Sequence, residues 1–170
     1  MKAFTVIETL VAISILTVAI AGPLTIAQRS LQSALFARDQ ITALYLAQEG
    51  LDLVRAYRDR NALTVLKGGS ATWTSGFDAC TTAACIIDPS TAVVTACPGN
   101  VCSALLYDPD RNLYQYTSGS SSRFTRTIRV TLVDASSARV ESTVSFSTGA
   151  IPRSVVARTL ITSWYTRYAP

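Results

Sequence analysis

One stretch limits what this chain can become. From Phe4 to Ala27 the residues are almost all apolar or small, and the only formal charge among them is Glu8. A run of about 24 residues, rising about 1.5 Å per residue as a helix, spans roughly 36 Å and can cross a hydrocarbon core. A carboxylate near its start costs on the order of a few kcal/mol in lipid, so an ionisable group there needs a reason. A cleaved secretory signal would have an apolar core of about 7–15 residues and a small-residue cut site after it. Here the run is longer, and Ala19-Ile20-Ala21 leads into more apolar sequence. A retained anchor is the expectation. Its orientation does not follow from charge, because Lys2 on one side competes with Arg29 and Arg38 on the other.

The rest of the chain belongs to a different regime. The whole is 170 residues, and without the apolar run about 140 are left, enough for one small core. Charged residues make up 15%, the net charge is +4 and there is no histidine. The arginines are scattered from Arg29 to Arg167 without a dense run, as on a solvated face.

Gly22-Pro23 interrupts the apolar helix; proline removes a backbone hydrogen bond and clashes with the preceding turn. A kink or local unwinding is predicted near residues 19–23. After Arg29 the pattern becomes amphipathic, with Ala34, Ile41, Leu44, Ala47, Leu51 and Val54 at helical spacing. This stripe is expected to bury against a sheet. Gly50, unfavourable by about 1 kcal/mol inside a helix, points to a close backbone contact.

Residues 61–100 read as a Thr/Ser/Ala/Gly-rich connection with short strands inside it. Strand patterns follow at Ser103–Tyr107, Leu113–Thr117, Phe124–Val133, Val140–Ser147 and Ser154–Trp164. Alternation sets Ile128, Val130 and Leu132 on one face, and Arg126, which shares that face by parity, is expected at the strand's open end. Asp134-Ala135-Ser136-Ser137 reads as a hairpin connection. The last three strands make an antiparallel sheet for the helix to cover. The fold class is therefore α+β: a long protruding N-terminal helix of about 55 residues, membrane-spanning in its first half, packed on a C-terminal antiparallel sheet.

The string Ala3-Phe4-Thr5-Val6-Ile7-Glu8-Thr9-Leu10-Val11-Ala12-Ile13 resembles the N-terminal cleavage and methylation motif of type IV prepilins and type II secretion pseudopilins. Leu46-Ala47-Gln48-Glu49-Gly50-Leu51-Asp52-Leu53-Val54-Arg55 and Arg58-Asp59-Arg60-Asn61 look like the second helical half of minor pilins or pseudopilins. The resemblance covers roughly the first 60 residues. It implies a leader of residues 1–3, a transmembrane and later filament-core helix over 4–27, an amphipathic second half over 28–60, and a β-rich globular domain over 61–170. It also implies that a prepilin peptidase cuts between Ala3 and Phe4 and methylates the new Phe4 amine, with Glu8 as the glutamate used in filament assembly. The leader here ends in Ala3, where the family has Gly. The implied partners are other pilin or pseudopilin subunits, an inner-membrane assembly platform, and lipid before assembly. The implied place is the inner membrane, single-pass, with the C-terminal domain outside the cytoplasm, and a pilus or pseudopilus afterwards.

The electrostatics of that glutamate follow from general physics. A buried amine and a buried carboxylate each lose hydration unless paired, so a Glu8 that meets the Phe4 amine of a neighbour sets axial register. Two other readings of the chain stand beside the filament subunit. One is a DNA-uptake pilin that binds nucleic acid through its scattered arginines. The other is an uncleaved single-pass membrane protein with an exposed binding domain.

Cys80 and Cys85, and Cys97 and Cys102, form two pairs each separated by four residues. Export to an oxidising compartment favours disulfides, in any of three connectivities. The competing zinc site of four thiolates lacks the usual knuckles with two intervening residues. Asp108-Pro109-Asp110-Arg111-Asn112 resembles the start of a calcium loop, but Leu113 stands where Gly is needed and Gly119 where a closing Glu would be. A tight turn accounts for the same residues, and no cofactor is expected. Without histidine or a Gly-rich phosphate loop, no catalytic constellation is expected either.

Overall fold

A computed structural model of the chain describes residues 5–149 and 151–167. One helix, α1, runs from Val6 to Leu66, and its later part packs on a C-terminal antiparallel sheet in an α+β arrangement. The chain divides into two compact units with the boundary inside α1, after Asp39. In the first unit the large apolar side chains are exposed, from Val6 and Ile7 through Leu16 and Ile20 to Leu35. The helical assignment continues without a break through Gly22-Pro23, so of the kink or local unwinding expected near residues 19–23 the unwinding does not occur.

The second unit, from Gln40 onward, contains the core. After α1 come a short helix α2 (Ala79–Thr82) and strands β1 (Cys85–Ile87) and β2 (Val94–Ala96). Three small strands follow: β3 (Leu106–Asp108), β4 (Leu113–Gln115) and β5 (Ser120–Ser121). Three long ones complete the domain: β6 (Thr125–Asp134), β7 (Ser137–Thr148) and β8 (Ile151–Thr162). The main sheet has the order β2-β1-β6-β7-β8, and a second sheet has the order β4-β3-β5. All strand pairs are antiparallel. Asp134 turns β6 into β7 as the hairpin pattern required, its carboxylate accepting the Ser136 N–H at 2.7 Å.

The stripe on α1 differs in phase from the expected one. Ala47, Leu51 and Val54 are buried, but Ala34, Ile41 and Leu44 are exposed. The buried line is Ala43, Leu46, Ala47, Gly50, Leu51, Val54, Tyr57 and Ala62. Burial in this second unit begins at Ala43 and follows the face of Ala43, Leu46, Ala47 and Gly50, which leaves Ile41 and Leu44 outside it. The helix also ends at Leu66 rather than near Arg60. Gly68, at φ +82°, takes the left-handed conformation that glycine adopts cheaply. The Gly69 N–H reaches Thr64 O at 2.9 Å and the Gly68 N–H reaches Val65 O at 2.9 Å, the paired bonds that close a helix at glycine.

The inner face of the sheet presents Ile128, Val130, Ala138, Val140 and Ile161 to Leu51, Val54 and Tyr57 of α1. Phe77 completes the cluster, edge-on to both Tyr57 and Trp73. Gly50 lies against β7: a Cβ there would run into Ser142 Oγ and sit 3.1 Å from Arg126 Cδ. A close approach is present at this glycine, with the Ser142 and Arg126 side chains where a backbone contact was expected.

Candidate functional site

The start of α1 is capped by its own sequence. The Glu8 N–H donates to Thr5 Oγ1 at 3.3 Å and to Thr5 O at 3.1 Å, and the Thr9 N–H reaches Thr5 O at 3.3 Å. Thr5 with Glu8 three residues on is the sequence pattern of a capping box, and a carboxylate in the first turn complements the helix dipole. Glu8 is exposed. Ala3 and Phe4, the expected cleavage and methylation residues, lie outside the described residues.

Hydroxyls along this segment are already satisfied. Thr9 donates to Val6 O at 2.8 Å, Ser14 to Val11 O at 2.8 Å, Thr17 to Ser14 O at 2.9 Å and Thr25 to Gly22 O at 2.8 Å. A polar group bonded within its own helix enters an apolar environment at low cost. α1 is the one helix among the described residues long and apolar enough to cross a membrane, and none of its most apolar stretch is buried in the protein.

A second polar centre lies inside the Gln40–Pro170 unit. Arg126 is the second residue of β6, at the end of the strand as alternation suggested, but that end is closed and the side chain is fully buried. Its guanidinium makes an ion pair with Glu49 and donates to Leu46 O at 3.4 Å and to Ile87 O at 3.0 Å. The Tyr116 ring lies 5.9 Å from it. Burial pushes the Tyr116 phenol above its ordinary value, and the positive Arg126 works against that rise. The sequence signal was the parity itself: a charged residue in phase with the core must be ended, snorkelled or paired. Glu49 pairs it from 77 residues away.

The cysteines form two local loops, Cys80–Cys85 and Cys97–Cys102, which settles the connectivity and engages all four sulfurs. Within the second loop Asn100 Oδ1 accepts from the Ala84 N–H at 2.9 Å and from Arg129 at 2.8 Å. Residues 108–112 form the turn between β3 and β4. Asp108 Oδ1 accepts the N–H groups of Asp110 and Arg111 at 3.1 and 3.3 Å, and Oδ2 accepts from Gln115 at 3.2 Å. Asn112 Oδ1 accepts the Tyr107 hydroxyl at 2.7 Å. Asp108 and Asn112 thus serve the hairpin with their side chains, and Asp110 with its backbone N–H. Among the described residues no three His, Cys, Asp or Glu side chains converge to hold a metal ion.

Several arginines have partners within the fold. Arg55 pairs with Asp52 at 2.8 Å, Arg58 with Asp59 at 2.9 Å and Arg158 with Glu141 at 2.5 Å, while Arg60 covers the Tyr57 ring at 4.2 Å. Comparison of the chain with protein families, with characterised proteins and with solved structures finds no match.

Proposed function

We propose that this chain is a structural subunit of the pilin kind, a minor pilin or pseudopilin held in the inner membrane and then incorporated into a helical filament. The filament would be a type IV pilus or a type II secretion pseudopilus. The observation that carries this reading is the first unit of α1: apolar side chains exposed on all sides, with Glu8 as the only formal charge between Val6 and Ala27. A helix apolar all round is stable only among lipid or among other apolar helices. Both surroundings are available to a subunit that moves from membrane to filament. Neither compensates for a carboxylate unless a positive group arrives with it. Removal of residues 1–3 would supply one, the Phe4 amine of a neighbouring subunit.

A specific observation favours a second reading, the uncleaved single-pass protein. The Glu8 carboxylate stands in the first turn of α1, where it complements the helix dipole, a local role independent of any neighbour. Two variants separate the readings. Glu8→Ala is expected to insert in the membrane normally but to enter sheared fibres at about a tenth of the wild-type level or less, as expected when a charge is left buried and unpaired. Thr5→Ala, which removes the cap and leaves the charge, is expected to enter them normally. Equal incorporation of Glu8→Ala and wild type would overturn the filament role and leave the anchor.

A further inference from the structure

The two disulfides differ in what can reach them. Cys80 and Cys85 are both fully buried, within the core cluster that holds Phe77, Ile87 and Ile128. Cys97 and Cys102 stand outside that cluster. Cys97 is 6% exposed and Cys102 is half-buried, and both line a cleft of about 320 Å³ with Ile86, Thr95, Pro98 and Val101. None of the described residues lining it is charged, and Val101 is 76% exposed. Thiol–disulfide exchange requires a thiolate to reach one of the two sulfurs, so its rate follows access. A disulfide closed inside a core is inert until the domain opens, whereas one that borders a cleft is not.

What the Cys97–Cys102 ring holds in place is equally particular. Within it Gly99 and Asn100 both take positive φ, +58° and +62°. Glycine does so freely; asparagine does so more readily than most side chains, but still at a cost. In that conformation Asn100 Oδ1 accepts the Ala84 N–H at 2.9 Å, and the Cys97 N–H donates to Ala84 O at 2.7 Å. Two bonds thus tie the ring to Ala84, the residue before β1. β1 joins β2 through three register pairs but meets β6 through one, Cys85↔Ile128.

We infer that Cys97–Cys102 is a reducible switch, opened by the dithiol of another protein, while Cys80–Cys85 stays closed. The incoming thiolate bonds to Sγ of Cys102, the more exposed residue. The Cys97–Cys102 bond breaks with its electron pair on Cys97 Sγ, which takes up a proton. The second thiol of the dithiol, deprotonated, then attacks the first in the mixed disulfide. Cys102 Sγ leaves as a thiolate and is protonated, and the dithiol is oxidised to a disulfide as this chain gains two electrons. The uncharged lining, with Pro98 and Val101, suits the approach of an apolar protein surface. With the ring open Asn100 is free to leave the left-handed region, Ala84 loses its acceptor, and the β1–β2 corner of the sheet loosens. This inference goes beyond filament assembly and does not depend on it.

The test uses the full chain in detergent micelles, treated with graded dithiothreitol, acid-quenched and alkylated, with the labelled cysteines located by peptide mass. Cys97 and Cys102 are expected to be labelled about tenfold faster or more than Cys80 and Cys85. Amide exchange at Ala84 and across residues 94–97 is expected to rise when they are reduced and to return on reoxidation, while exchange at Val140 in the core stays slow. A thioredoxin-type protein whose second active-site cysteine is replaced by serine cannot complete the reaction, and it is expected to remain bonded to Cys102. The inference fails if the two disulfides open at the same rate, or if Ala84 exchange is unchanged by reduction. It also fails if the trapped protein is found on any other cysteine or on none.

Discussion

The Arg126 guanidinium is wholly withdrawn from solvent, and Glu49 is the carboxylate that neutralises it. Removing one partner of a buried ion pair strands the other, at about 3–5 kcal/mol, whereas replacing both by apolar groups is often near neutral. Glu49 is about one-third exposed, so water can reach part of the gap it leaves. Glu49→Ala is therefore expected to cost about 3 kcal/mol in urea unfolding, the low end of that range, and Arg126→Met with Glu49→Leu to recover most of it. A double variant no more stable than Glu49→Ala would contradict the pairing. Asp88 offers a pH test. Burial pushes its carboxyl up, but bonds from the Ser90 hydroxyl and from the N–H groups of Ser90 and Tyr116 outweigh burial and leave it below the ordinary carboxylate value. A group depressed on folding stabilises the fold above its unfolded pKa, and that contribution is lost as pH falls through the folded value. Thermal midpoints are expected to drop below about pH 4, and Asp88→Asn to lose about 1–2 kcal/mol at neutral pH with a flatter acid response. An unchanged acid profile in Asp88→Asn would remove that assignment. At this scale the sequence exposed the anomalies but not their partners. Parity put Arg126 among core residues, but Glu49 and Ile87 lie far from it in the chain, and only the fold brings them together.

The elements were legible where the pattern was local. The three long strands fall close to their expected places, because alternation over ten or more residues and an Asp-Ala-Ser turn are signals the chain carries in itself. Two features of α1 were misplaced. Lys67-Gly68-Gly69 held the stop signal, yet the expected helix ended earlier, at Arg60-Asn61, which continues into buried helix where Asn61 donates to Ser75 O at 2.7 Å. The apolar stripe was read one position out of phase at Leu44, where Ala43 is the buried residue, because helical spacing alone does not choose between adjacent apolar residues. The cysteine spacing allowed three connectivities, and the structure takes the local one. In the chain-entropy view a loop with a sequence separation of 5 contributes about 2 kcal/mol. Cys97→Ser with Cys102→Ser is expected to lower unfolding stability by about that amount and to release the Asn100 side chain, visible as faster exchange of the Ala84 amide that it accepts. Unchanged stability and exchange would show that the turn holds without its covalent link.

At the scale of the molecule, the chain joins two units with opposite solvent preferences through one helix. The unit from Gln40 has a closed apolar core against the sheet, while the preceding segment exposes its apolar side chains and bonds its hydroxyls inward. Composition places its break near Ala27, after which charge becomes frequent, whereas the compact units divide after Asp39. What surrounds the exposed apolar side chains of the first unit is not written in any pattern within the chain. The proposed filament role requires an amine at Phe4, released by cleavage, to meet Glu8 of another subunit. The most direct measurement is the intact mass of this protein extracted from purified fibres. The expected mass lacks Met1 to Ala3 and carries one added methyl group. A fibre-bound subunit with Met1, Lys2 and Ala3 still attached would contradict the account, because no free amine would then stand at Phe4.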